Sequence, residues 1–132
     1  MNQGVNLDLS LAQYDPWVIK KKLTATDTSN YGKLSLSQRG MGSITPQMRQ
    51  SMREEMETIQ GVEVKVHVIE EGNQAEDYTW RLVRESDGKY YMKGGWIVFA
   101  RNNGYQEGDE IGLMWDQSYE RFLLHKIVQF QK

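Results

Sequence analysis

One stretch constrains the fold of this chain more than any other. Gly94-Gly95 breaks whatever precedes it, and Trp96, Phe99 and Ala100 then fall on one side of a short helix. Asn103-Gly104 supplies a helix stop, because glycine accepts the left-handed backbone that ends helices. Gly104-Tyr105-Gln106-Glu107-Gly108-Asp109 turns the chain, and Ile111, Leu113 and Trp115 alternate as a buried strand should. A short helix, a glycine stop, a tight turn and a buried strand follow one another with little chain to spare.

The rest of the chain repeats this economy. Val62, Val64, Val66 and Val68 alternate with Glu63, Lys65 and His67, a half-buried strand. Tyr78, Trp80 and Leu82 alternate in a further strand, and Asp87-Gly88 is a strong hairpin signal before Tyr90, Tyr91 and Met92. Trp17-Val18-Ile19 opens a first strand running into Leu23, and Leu34 and Leu36 mark a second. Residues 24–32 between them are small, polar and loop-like. Gly40 and Gly42 flank Met41 in a flexible connection. Thr45-Pro46 predicts a helix start, with Met48, Met52, Met56 and Ile59 on one face and Gly61 as its stop. Gly72-Asn73 reads as a turn, and Phe122, Leu124, Val128 and Phe130 as a last strand. The four tryptophans, Trp17, Trp80, Trp96 and Trp115, fall in strand or helix patterns and are expected in the core. The expected fold is mostly β with two short helices, its seven strands closing or partly closing to protect their edges.

A chain of 132 residues is expected to form one domain, here residues 17–132 behind a tail of residues 1–16 that ends at Asp15-Pro16. Cysteine is absent, which removes a disulfide framework, thiol catalysis and the common structural zinc sites. His67 and His125 stand apart in strand-like runs and read as satisfied or solvent-facing residues, so no metal or other cofactor is expected. The acids are scattered over helix ends and turns, which argues against an enzyme, a metal-dependent nuclease included. No signal-peptide pattern opens the chain and no apolar run approaches a membrane span, so a soluble intracellular protein is expected.

The net charge is −2, yet it is unevenly spread. Residues 17–39 set Lys20, Lys21, Lys22, Lys33 and Arg39 against Asp27, a local balance of +4. Residues 81–93 set Arg81, Arg84, Lys89 and Lys93 against Glu85 and Asp87, a balance of +2. The remainder therefore carries −8. A duplex responds to a local basic face more than to the total.

Read as G-W-x-x-F followed by G-D-x-I-x-L, the stretch from Gly95 to Leu113 resembles the closing half of the plant B3 DNA-binding domain. Lys22-Leu23-Thr24-Ala25-Thr26-Asp27 is similar to that family's opening K-x-L-T-x-S-D, and Tyr90-Tyr91-Met92 precedes Gly95-Trp96 as its Y-x-L precedes G-W. The resemblance covers residues 17 to about 130. It implies an open seven-stranded pseudobarrel whose members bind duplex DNA through two arms in the major groove. Carried over, the first arm runs from Lys20 to Lys33 and the second from Arg84 to about Tyr91, within the two basic stretches.

The residues expected to meet DNA are Lys20, Lys22, Thr24, Thr26, Ser29, Asn30, Tyr31 and Lys33 on the first arm, and Arg84, Ser86, Lys89 and Tyr91 on the second. Lys22, Lys33, Arg84 and Lys89 would anchor phosphates, and Asn30, Arg84 and Ser29 are the candidates for base contacts. Two features depart from the family pattern. Ser37-Gln38-Arg39 stands where members commonly have a proline and a lysine, and Glu85 and Asp87 would oppose phosphates.

The tail carries Leu7-Asp8-Leu9-Ser10-Leu11, an L-x-L-x-L pattern that resembles the plant EAR repression motif. That motif recruits TOPLESS-type corepressors by placing alternating leucines in a groove, and residues two apart in an extended peptide point the same way. Together the resemblances imply a nuclear plant transcription factor, a repressor that binds specific double-stranded DNA. The alternative is a protein-interaction module that keeps the fold and has lost or weakened DNA binding.

Overall fold

Alternating valines set the central strand, and the other strands assemble around it. The protein was analysed as a computed structural model, which describes residues 17–30, 32–69 and 75–128. Leu7, Leu9 and Leu11, Tyr31, the Gly72-Asn73 turn and Phe130 lie outside the described residues. The strands are β1 (Ile19–Lys22), β2 (Leu34–Leu36), β3 (Val62–Ile69), β4 (Ala75–Arg84), β5 (Tyr90–Lys93), β6 (Glu110–Asp116) and β7 (Arg121–Val128). The helices are α1 (Gln38–Ile44), α2 (Gln50–Met56) and α3 (Trp96–Asn102), with a 3-10 turn at Thr45–Gln47.

The seven strands form one sheet in the order β1-β6-β7-β3-β4-β5-β2, curled into a nearly closed barrel. Every neighbouring pair is antiparallel except β3 and β7, which run parallel with Val66 opposite Phe122 and Val68 opposite Leu124. Strands β1 and β2 therefore lie at the two edges of the sheet, although only the first basic loop separates them in sequence. Val62, Val64, Val66 and Val68 are buried, and their polar neighbours face outward. One end of the core is aromatic. Trp80 meets Trp96 edge to face at 5.9 Å, and Phe99 packs on Trp80 at 5.3 Å. Gly95 makes that packing possible: its φ is +148°, and a Cβ there would lie 2.6 Å from Trp80 Cδ1.

The region read as a flexible connection and one helix is instead two helices and a 3-10 turn, so the described residues hold three α-helices where two were expected. Helix formation begins earlier than Thr45 because Ser37 caps it, its Oγ accepting from Gly40 N at 2.9 Å. Gly40 serves packing, since a Cβ there would stand 2.4 Å from Ile19 Cγ1. Pro46 then falls in the 3-10 turn, and Thr45 makes no side-chain cap for it. Met48, Met52 and Met56 are buried as their spacing predicts, but α2 ends at Met56 and leaves Ile59 94% exposed. The first strand is also shorter than expected, beginning at Ile19. Trp17 is only half-buried and stacks on His125 at 5.9 Å, so it is not the core residue its pattern implied. His125 Nδ1 lies 2.8 Å from the Ile69 carbonyl and His67 Nδ1 2.7 Å from Asp77 Oδ1. No helix among the described residues is long and apolar enough to cross a membrane.

Candidate nucleic-acid interface

The loop between β1 and β2 is fastened at its start by the G-D motif and near its middle by the G-W motif. Where β1 ends, Leu23 N donates to Asp109 O at 2.8 Å and Gly108 N donates to Leu23 O at 2.9 Å. Further along, Trp96 Nε1 donates to Asp27 O at 2.8 Å. From Thr24 to Ser29 the loop caps itself. Thr24 N donates to Asp27 Oδ2 at 2.8 Å and Asp27 N to Thr24 Oγ1 at 3.2 Å. Thr28 N then donates to Ala25 O at 3.2 Å and Ser29 N to Thr26 O at 3.3 Å. These local bonds are what small polar residues offer the backbone in place of a strand or helix.

Asp27 is the hub of the loop and is 1% exposed. Its carboxylate accepts from Ser35 N at 3.3 Å and pairs with Lys21 Nζ at 3.1 Å. Lys21 Nζ also donates to the Ser35 carbonyl at 2.7 Å and contacts the Ser35 hydroxyl. Lys21 belongs to β1 and Ser35 to β2, so this cluster stitches together the two edges of the barrel. A buried carboxylate needs such partners, because an unpaired one is costly to desolvate.

The second arm is the tight hairpin joining β4 to β5. Glu85 N donates to Lys89 O at 2.8 Å, Gly88 N donates to Glu85 O at 2.8 Å, and Gly88 takes φ +85°. Asp87 Oδ1 accepts from Lys89 N at 2.9 Å, so this carboxylate is engaged with the turn's own backbone.

The two arms face each other across a groove of about 720 Å³ at the seam of the barrel. Lys20, Lys21, Lys22, Lys33 and Lys89 line it, with Asp27 as the one carboxylate among the described residues. Thr24, Thr26 and Tyr91 line it as well, so seven of the expected contact residues converge there. Lys22 and Lys89 are exposed and form no ion pair among the described residues. Lys33 is held differently: its Nζ sits 3.0 Å from Glu85 Oε2 and 4.1 Å from the centre of the Tyr91 ring.

Other expected residues are not brought to this groove. Arg84 and Ser86 line a separate cavity of about 620 Å³ on the other side of the hairpin, where Arg84 Nη1 lies 3.8 Å from Glu57 Oε1. Asn30 is exposed on the loop outside the groove lining. Ser29 is half-buried, and its hydroxyl donates to the Thr26 carbonyl at 3.1 Å. The sequence reading left out Lys21, Asp27, Ser35 and Gln38, all of which line the groove. A signal existed for Asp27, the last residue of the K-x-L-T-x-S-D-like run. Lys21 lies between Lys20 and Lys22 on β1 and is the less exposed of the three, turned to Asp27.

On the outer wall of the barrel the cations meet acids. Arg49 pairs with Glu120 at 2.6 Å, and Arg121 with Asp116 at 3.2 Å. There the His67 hydrogen bond, above all, holds the Asp77 carboxyl below its ordinary value of 3.8. The described residues contain no group of three or more His, Cys, Asp or Glu that could hold a metal ion.

Comparison with known proteins agrees with this architecture. A family model described as the C-terminal domain of B3 domain-containing protein At5g26805 matches residues 17–127. A protein of Arabidopsis thaliana named as a B3 domain-containing protein, At1g51970, is 44% identical over 127 residues, spanning 96% of this chain and 99% of that protein. B3 domain-containing protein At1g10455 of the same plant is 37% identical over 120 residues, spanning 88% of this chain and 76% of its own. Among solved structures, the Arabidopsis FUS3–DNA complex matches with a TM-score of 0.61 at 15% identity, covering 87% of this chain and 99% of that one. The complex of the Arabidopsis thaliana transcription factor LEC2 with DNA gives 0.60 at 16% identity, covering 86% and 95%.

Proposed function

The chain belongs to the B3 domain family, and on that premise we propose that it is the DNA-binding domain of a nuclear transcription factor, one that takes a specific duplex between its two arms. One observation carries the reading: five lysines drawn from both arms line a single groove whose one carboxylate among the described residues is buried and paired. Lysines at such a face attract phosphates and release condensed counterions whatever the base sequence. Lys20, Lys22, Lys33 and Lys89 then hold the phosphates, and Thr24, Thr26 and Tyr91 support them from the groove. Asn30, Arg84, Ser29 and Ser86, away from the groove lining, reach base edges or the flanking backbone. FUS3 and LEC2, whose folds this chain shares, were both solved bound to DNA.

Selection from random duplexes at low salt should enrich a defined site. On that site, Lys22→Ala and Lys89→Ala should each weaken binding for all sequences alike and lower the slope of log affinity against log salt by about 1. The reading is wrong if selection enriches nothing and neither substitution changes binding.

The repressor half of the proposal rests on Leu7, Leu9 and Leu11. If that tail recruits a TOPLESS-type corepressor, Leu9→Ser should abolish capture of the corepressor and leave duplex binding untouched. Retained capture would remove the tail from the account.

One observation favours the second reading, an interaction module with weak or no DNA binding. Glu85 already occupies Lys33 at 3.0 Å. Recovery of a protein partner that survives charge reversal in both arms would select it.

A further inference from the structure

Granted duplex binding at the groove, on which this rests, we infer that Glu85 is an internal stand-in for a backbone phosphate. It holds Lys33 in the free protein, and DNA must displace it. Lys33 closes the first arm just before β2, and Glu85 lies in the second just after β4. Fifty-two residues separate them, yet their charged atoms meet at 3.0 Å. The carboxylate is not free to swing away with its backbone, because Glu85 is bonded to Lys89 and Gly88 at the base of the hairpin. The ammonium is likewise fixed, since it lies against the Tyr91 ring as well. Lys33 lines the groove, and Glu85 reaches its ammonium from the neighbouring cavity on the hairpin and fills its anion site.

The other arm carboxylates cannot play this part. Asp27 is satisfied by Lys21 and by the Thr24 and Ser35 amides. Asp87 accepts from the Lys89 amide within its own turn. Glu57 approaches Arg84 only to 3.8 Å and lies outside both arms. Glu85 and Lys33 are each about one-third exposed at the side chain, 33% and 37%. Water reaches the pair, which keeps it weak enough for a phosphate to replace.

The exchange has a definite consequence. Lys33 meets DNA only by giving up Glu85, and Glu85 then stands close to a phosphate it repels. Both effects lower affinity for every duplex regardless of sequence, so Glu85 restrains binding that is driven by charge alone.

The test compares wild type, Glu85→Gln, Lys33→Gln and the double variant on one selected duplex across a salt series. Thermal midpoints confirm that each variant is folded. Glu85→Gln should tighten binding about fivefold near 0.1 M salt and steepen the salt slope by up to about one. In the Lys33→Gln background most of that gain should vanish, because the carboxylate no longer has a cation to withhold. A change below about twofold, or an equal gain without Lys33, overturns the exchange. If wild type fails to bind while Glu85→Gln binds, the restraint is complete and the inference stands. If no variant binds any duplex at low salt, duplex binding itself is wrong and the exchange falls with it.

Discussion

Asp27→Ala should destabilise the domain by about 3 kcal/mol, measured by chemical denaturation. Three losses combine in that figure. The Thr24 and Ser35 amides lose their acceptor, Lys21 loses its counterion, and the two edges of the barrel lose a shared partner. Removing one member of a buried pair costs about 3–5 kcal/mol in general. The low end applies here because the Lys21 side chain keeps 16% exposure and can turn toward water in the groove. A second change separates charge from packing: adding Lys21→Met to Asp27→Ala removes the orphaned ammonium and should restore part of the loss. Amide exchange at Thr24 and Ser35 should quicken in Asp27→Ala well before the core amides of β3 respond. A loss below about 1 kcal/mol would mean that the seam is held by something else.

Trp96→Ala should be of similar or larger size, about 3–5 kcal/mol. The side chain is fully buried, with Trp80, Phe99 and Tyr105 around it. Its deletion opens a cavity at the aromatic end of the core and strips the Asp27 carbonyl of its indole donor. Trp96→Phe separates the two effects. Most of the packing survives, the hydrogen bond does not, and a loss of about 1–2 kcal/mol is expected. That smaller change should also weaken duplex binding, because the first arm loses one of its fastenings while the lysines stay in place. Normal binding by a folded Trp96→Phe protein would confine Trp96 to the core.

How much of this was legible in the sequence depends on how local each decision is. The valine alternation in β3, the Asp87-Gly88 hairpin and the short helix at Trp96 are set by neighbours a few residues away, and all three are present. The helical region after β2 was misread because Gly40 and Gly42 look like breakers in isolation. Gly40 is needed for close approach to Ile19, a residue on a strand placed there by the fold. Ile59 matched the methionine stripe by spacing, but α2 had already ended. The family resemblance supplied the arms, and the two basic stretches around them were readable from charge alone. Their meeting in one groove was not, since it follows from an order that sends β1 and β2 to opposite edges of a curled sheet. Side-chain direction was the least legible level. Arg84 and Lys89 sit five residues apart on one hairpin and line different cavities.

The open seam has one more consequence. A sheet that stops short of closing leaves two bare strand edges, the usual starting point for unwanted pairing between chains. Here β1 reads Ile-Lys-Lys-Lys, and its exposed Lys20 and Lys22 make that edge repel a second copy of itself. Lysines of the kind that suit a phosphate backbone are thus also the kind that guards a sheet edge against pairing. A lineage that abandoned DNA would still have reason to retain lysines at these two positions.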